Sequence, residues 1–253
     1  MDEQINALAT LIKDIENIVF LTGAGISTAS GIPDFRSDNG IWKQEQNREY
    51  YLSTYYYQKK PKDFWKKYKE IFNLKLMDGY QPNFGHSFIR ELEENGKTVT
   101  VLTQNVDGLH QMAGSQHVIE LHGTIKTATC PKCKQKYDLD FILEQEIPRC
   151  TTTKQDKTCG FILKPDMVMF GDTVMGYKEA EKAIDTCKLF IVLGSSLEVS
   201  PVNELPQYAK YDWQTKLVLV NRDPTIKDRL FDIVIHTDIN QTLSDVKSLI
   251  IGD

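Results

Sequence analysis

Hydrophobic residues along the chain follow two periods in turn. Ile5, Leu8, Leu11, Ile12 and Ile15 recur at helical spacing, so residues 3–16 read as an amphipathic helix. The apolar run at 18–22 is short enough for a buried strand. Residues 87–95 return to the helical period, and Gly96 supplies a stop signal. Further strands are expected at 98–103, 117–121, 189–194, 216–221 and 232–236, with a helix at 177–187. A last helix, 240–251, places Leu243, Val246 and Leu249 on one side. Short apolar strands alternating with amphipathic helices predict βαβ units, hence an α/β fold with a Rossmann-like parallel sheet. Right-handed crossovers bring the strand C-terminal ends to one rim, where open α/β sheets bind ligands.

Two stretches interrupt this rhythm. Residues 36–82 crowd tyrosine, lysine and tryptophan together without a β pattern, which predicts a helical insertion. Its aromatic residues either pack the insertion itself or line a cleft. Residues 126–164 are polar and hold four of the five cysteines, the mark of a small zinc-binding module. The sheet domain is then assembled from residues 1–35, 83–125 and 165–253.

Charge narrows the function little. The formal charge is −5, from 30 basic and 35 acidic residues, so nothing favours direct nucleic-acid binding. No apolar run is long enough to cross a bilayer. The first 17 residues lack the basic start and apolar centre of a secretory signal. A cytoplasmic location, with thiols kept reduced, is the expectation.

The chemistry gathers at the expected rim. Gly23-Ala24-Gly25 follows the first strand, and two glycines there let backbone amides approach a pyrophosphate. Thr28 stands where a third glycine is usual. The loop fits an imperfect cofactor site, an ordinary strand-to-helix turn, or another use of a dinucleotide. The ribose-binding acid of dehydrogenases, expected ~20 residues on, has no clear counterpart, which disfavours hydride transfer. In "GIPDFR" (31–36), Phe35 is placed to shield a reactive centre and Arg36 to meet phosphate, although each alone reads as structural. In "TQNVDGLH" (103–110), Gln104, Asn105 and Asp107 suit either ligand recognition or helix capping. His122 follows a strand and precedes Gly123, a good place for a general base. His86, His110, His117 and His236 read as structural.

Cys130 and Cys133 form a knuckle suited to tetrahedral zinc, and 16 residues separate Cys133 from Cys150. Cys150 and Cys159 enclose eight residues where two are usual. A four-thiolate structural site, a three-thiolate knuckle and a degenerate site all remain open. Cys187 reads as a buried thiol.

Together these stretches, with "PDMVMFGD" (165–172), "GSSLEVSP" (194–201) and "VLVN" (218–221), resemble the bacterial-type sirtuins, the NAD-dependent protein deacylases. The resemblance runs from about residue 5 to 250. It implies that NAD is a substrate to be cleaved. Ala24, Thr28 and Arg36 would contact it, and Phe35 would cover its ribose once nicotinamide leaves. Gln104, Asn105, Val106 and Asp107 would line the nicotinamide and ribose pocket. Ser195, Ser196 and Asn221 would hold phosphate and the adenosine ribose, with Asp238 and Ile239 nearer the adenine. His122 would be the general base, and Val168, Phe170, Gly171 and Val199 would flank an acyl-lysine peptide added as an extended strand. The four cysteines would hold a structural zinc. The implied products are nicotinamide, O-acyl-ADP-ribose and free lysine.

Departures from the family pattern are "FGD" for the common "FGE", "GSS" for "GTS", and the widened Cys150–Cys159 spacing. No Tyr-x-x-Arg pair is found: Ile71 stands three residues after Tyr68. Family members that prefer succinyl or malonyl groups carry that pair, so neutral acyl groups are expected here. An ADP-ribosyltransferase or NAD glycohydrolase, which breaks the same bond, is the rival reading. A non-catalytic NAD-sensing module is a third, disfavoured by the intact histidine and "TQNVDGLH" stretches.

Overall fold

The protein is described here by a computed structural model that covers residues 2–34, 47–73 and 79–251. Among the described residues eleven strands run in chain order: β1 (Asn17–Thr22), β2 (Thr98–Thr103), β3 (Val118–Glu120), β4 (Gly123–Thr129), β5 (Lys136–Asp138), β6 (Thr153–Lys154), β7 (Lys157–Thr158), β8 (Lys164–Met167), β9 (Leu189–Leu193), β10 (Lys216–Val220) and β11 (Ile233–Ile235). Six of them form one sheet in the order β11-β10-β9-β1-β2-β3, every pairing parallel. The strands at 98–103 and 189–193 fall as the pattern predicts, while the third is shorter than 117–121.

Alternation along the central strands builds two cores, because successive side chains point to opposite faces. Ile18 and Phe20 of β1, with Leu189, Ile191 and Leu193 of β9, face the helices Asp2–Asp14, Phe84–Glu94 and Ile239–Ile251. Val19 and Leu21, with Phe190 and Val192, face the opposite layer, where the helix Tyr177–Thr186 presents Ala180 and Ile184. Cys187 caps that helix fully buried, and burial pushes its thiol up to about 12. In the last helix Leu243 and Val246 are buried, but Leu249 is exposed, so the apolar side narrows toward the chain end.

A second lobe is made from the two interruptions. The helices Arg48–Tyr51, Thr54–Lys59 and Pro61–Ile71 pack with the cysteine module around one shared core. Phe64, Trp65 and Tyr68 are fully buried there, and the Trp65 indole N–H donates to the Leu163 carbonyl at 2.8 Å. The insertion's aromatic residues therefore serve packing more than the cleft. In this lobe β4 pairs antiparallel with β5 and β8, and β6–β7 form a two-residue hairpin. Residues 123–125 and 165–167 thus lie in the lobe's sheet, although the sequence pattern groups them with the large domain.

Two buried histidines pack against each other at the C-terminal end of β1. Burial lowers His86 to about 4 and His110 to about 3. Both stay neutral in the fold but take up protons in an unfolded chain, whose histidines titrate near 6.5. Their contribution is complete above pH 6.5 and is lost as the pH falls. Near pH 5 unfolding binds about two extra protons at this pair, so stability is expected to drop by about 3 kcal/mol per pH unit. Urea midpoints measured from pH 7 to pH 4.5 check the slope.

Candidate active site

The C-terminal ends of β1, β2, β9, β10 and β11 meet one large cleft of about 1070 Å³ between the sheet and the second lobe. After β1 the chain turns into a short 3-10 helix, Ala24–Ser30. This turn is locked to the loop after β9: the Gly23 amide donates to the Leu193 carbonyl at 3.0 Å and Gly25 to Gly194 at 2.9 Å. The two backbones approach so closely that a Cβ on Gly194 would lie 2.6 Å from the Ile26 nitrogen, at a φ of +65°. Only glycine relieves both the clash and the left-handed backbone. Gly194→Ala is expected to destabilise the fold by about 2–5 kcal/mol, measured by chemical denaturation. The two loops are thus held together through contact between glycines.

Ala24 and Thr28 line the cleft, and the Thr28 hydroxyl donates to the Gly25 carbonyl at 2.9 Å. Phe35 and Arg36 lie outside the described residues. Gln104, Asn105 and Val106 line the cleft, whereas Asp107 lies behind them, almost fully buried. Asp107 accepts a 2.8 Å hydrogen bond from the Ser27 hydroxyl and another, at 2.9 Å, from the Leu109 amide. The second satisfies the first amide of the short helix Leu109–Met112. Burial raises the Asp107 carboxyl above the ordinary range despite these donors. Ser27 also accepts from the Asn105 side-chain amide at 3.1 Å. Ser27 escaped the sequence reading as a functional residue. Its signal was the hydroxyl inside "GAGIS", and only the fold shows it joining two motifs.

Ser195, Ser196 and Asn221 line the opposite end, with Asp238 and Ile239 beside them. Ser195 accepts from the Gln104 side-chain amide at 2.8 Å and from the Leu197 amide at 3.2 Å, which ties the β2 and β9 loops together. Asp238 caps the last helix by accepting from the Gln241 amide at 3.1 Å.

His122 is on the cleft wall between β3 and β4. Its Nδ1 lies 3.0 Å from the Gln104 carbonyl, which is an acceptor only. Nδ1 therefore carries the proton, and Nε2 is left as a base. Burial lowers the imidazole below its ordinary value, and the Gln104 bond partly opposes that. The glycine after it is required: Gly123 has φ +67°, and a Cβ would lie 2.1 Å from the Asp166 carbonyl of β8. Val168, Phe170 and Gly171 border the cleft after β8, and Val199 lines it from the loop after β9.

The four cysteine sulfurs lie within 4.8 Å of one another. Cys130–Cys159 are 3.7 Å apart and Cys133–Cys150 3.3 Å. A tetrahedral zinc with bonds of about 2.3 Å sets its sulfurs about 3.8 Å apart, so the donor set fits. The eight-residue loop that widens the second pair folds outward as the β6–β7 hairpin and returns Cys159 to the cluster. Tyr137 donates its hydroxyl to Cys150 Sγ at 3.2 Å, the kind of outer contact that orients a metal ligand.

A parallel sheet with glycine loops at its rim, a half-buried histidine facing the cleft and a thiolate cluster in a second lobe define an α/β protein that uses a dinucleotide. The Sir2 family model matches residues 23–201. The NAD-dependent protein deacetylase 2 of Geobacillus kaustophilus is 53% identical over 249 residues, 98% of each chain. A Sir2 structure with a p53 peptide and NAD+ is 36% identical, with a TM-score of 0.80 and 96% of each chain covered. Another, a Sir2 variant with deacetylated p53 peptide and 3'-O-acetyl-ADP-ribose, is 35% identical with a TM-score of 0.86, covering 96% of this chain and 97% of that one. The chain belongs to the Sir2 family, the sirtuins.

Proposed function

We infer that this protein removes acyl groups, acetyl foremost, from protein lysines in a reaction that consumes NAD and yields nicotinamide, O-acyl-ADP-ribose and free lysine. The observation that carries this is His122, neutral and oriented by Gln104, on the wall where the glycine loops meet the second lobe. The relative named above as a deacetylase, and the related structure holding deacetylated peptide with acetyl-ADP-ribose, support the same chemistry.

NAD supplies the bond that breaks, between its ribose and nicotinamide. Ala24, Thr28, Ser195, Ser196 and Asn221 would hold its phosphates and adenosine ribose, with Asp238 and Ile239 toward the adenine and Arg36 on phosphate. Gln104, Asn105 and Val106 would enclose the nicotinamide end, with Asp107 holding Ser27 in place from behind. Phe35 would exclude water from the exposed ribose. His122 Nε2 takes a proton from a ribose hydroxyl, which prepares that oxygen to attack the acyl carbon.

The acyl-lysine enters beside Val168, Phe170, Gly171 and Val199. Leu52, Phe72, Met167 and Met169 give this side of the cleft an apolar wall, which suits a neutral acyl group. Tyr68 and Ile71 are buried in the lobe's core and offer no cation to an acyl carboxylate. Zinc held by Cys130, Cys133, Cys150 and Cys159 would brace the lobe and take no part in the reaction. Among the described residues no helix is long and apolar enough to cross a membrane. We place the protein in the cytoplasm, acting on acyl-lysine proteins, without direct nucleic-acid binding.

Incubation with NAD and an acetyl-lysine peptide tests the function. Peptide-dependent release of nicotinamide with formation of O-acetyl-ADP-ribose is expected. Free ADP-ribose, or ADP-ribosylated protein, formed equally without peptide would point to a glycohydrolase or transferase.

A further inference from the structure

Behind the cleft floor runs a chain of buried polar groups that the deacylation reading does not use. His86 and His110 are 0% and 1% exposed, and their rings meet edge to face with centroids 4.8 Å apart. His86 Nδ1 accepts from the Asn83 amide at 3.3 Å, so its proton is on Nε2. That Nε2 and the Nδ1 of His110 have no hydrogen-bond partner among the described residues. At the other end, His110 Nε2 lies 3.0 Å from the Thr22 hydroxyl, and Thr22 donates to the Thr103 hydroxyl at 2.9 Å. With Thr22 donating forward, His110 must donate to Thr22 from Nε2, which makes its Nδ1 an acceptor. The two orphaned atoms are therefore complementary: a donor on His86 and an acceptor on His110.

Both ends of the chain reach the cleft loops. Thr103 accepts from the Asn105 amide at 3.0 Å, and the Asn105 side chain donates to Ser27. Asn83, which caps the helix carrying His86, donates to the Ile26 carbonyl at 2.7 Å and to the Ser30 hydroxyl at 2.8 Å. The path from Asn83 through His86, His110, Thr22, Thr103 and Asn105 thus leaves the 24–30 turn and returns to it. An apolar filling of this layer would avoid the cost of burying so many polar groups.

We propose that His110 is a positioning residue for NAD: it donates to Thr22, Thr22 orients Thr103, and Thr103 fixes the Gln104–Asn105 segment against the 24–30 turn, while His86 packs edge to face on the His110 ring. This rests on the reading that the cleft takes NAD. His110 touches neither substrate; its effect passes through hydroxyls. Glutamine at 110 can still present a donor where Nε2 stands, whereas leucine cannot.

The test compares His110→Leu, His110→Gln and Thr22→Val in the full chain, with NAD affinity by calorimetry and steady-state KM for NAD and for an acetyl-lysine peptide. His110→Leu and Thr22→Val are expected to raise the NAD Kd and KM about tenfold, the scale of one lost buried hydrogen bond. The peptide KM should stay within about twofold, and His110→Gln should recover most of the NAD affinity. A His110→Leu protein that melts lower but binds NAD as the wild type does would overturn the proposal. So would a Gln variant no better than Leu. If His110→Leu does not fold, Thr22→Val decides, because it removes only the hydroxyl. Wild-type protein that fails to bind NAD would instead overturn the reading beneath the proposal.

Discussion

Replacing His122 with alanine is expected to lower deacetylation about 10²–10⁴-fold while NAD still binds within about twofold of wild type. The separation follows from geometry. The imidazole uses Nδ1 on the Gln104 carbonyl, and its other nitrogen is the basic group on the cleft wall. Its removal takes away a proton acceptor but leaves the Gly23–Gly25 and Gly194–Ser196 loops intact. Those loops are held by backbone bonds that do not involve residue 122. Because burial lowers the imidazole, the neutral, working form persists into mild acid, and activity should fall only as the pH drops through a value below 6.5. A pH–rate profile and single-turnover acyl transfer, alongside NAD calorimetry, check both parts. Near-wild-type turnover in the variant would remove His122 from the mechanism.

The second large effect concerns the thiolate cluster. Wild-type protein is expected to carry about one zinc per chain, and Cys130→Ser to lose it together with the ordered second lobe. The core explains the reach of a single sulfur. Cys130 and Cys150 are buried with Ile125, Ala128, Leu139, Ile142 and Leu163, and the insertion's Phe64, Trp65 and Tyr68 close over the same core. Without metal, up to four thiolates would repel one another or be protonated inside this core. Structural zinc contributes about 10–16 kcal/mol of apparent binding energy in small domains, more than the net stability of many proteins. Elemental analysis and thermal melts with and without chelator measure the loss. Folded, active protein with no zinc would contradict the assignment.

The large sheet was legible in the sequence because its strands are buried on both faces and read as uninterrupted apolar runs. "FLT", "VLT", "IVLG" and "LVLVN" needed no tertiary information. The family was legible for a different reason: several short motifs appear in order, and the comparisons find the same family. The lobe was harder to read. Most of its strands, such as Lys136–Asp138, are only two to four residues long and largely polar, so no period develops. Tyr and Trp in the insertion favour packing over a cleft in the sequence, and the shared core with Leu163 and Ile142 shows what they pack against. At the rim, "TQNVDGLH" identified a recognition stretch but not which members face the ligand. Asn105 faces the cleft while Asp107, two residues on, lies behind it and accepts from the Leu109 amide across the left-handed Gly108. His86 and His110, which read as structural in the sequence, belong to a buried polar path that reaches the cleft loops. Its links join residues from Thr22 to His110, which no local pattern reports.

Phe170 gives its amide to the Leu52 carbonyl and accepts the Thr54 amide, while Val168 donates to His122. Val168 and Phe170 therefore spend their main chain inward, on the insertion and on the connection between β3 and β4. A guest chain laid alongside would find only the odd-numbered positions facing it, chiefly Gly171, since Met169 is engaged with Asp172. So a substrate would be gripped by a sparse set of main-chain bonds. Such a grip forgives varied side chains around the modified lysine, yet is sensitive to proline at the position that must reach Gly171.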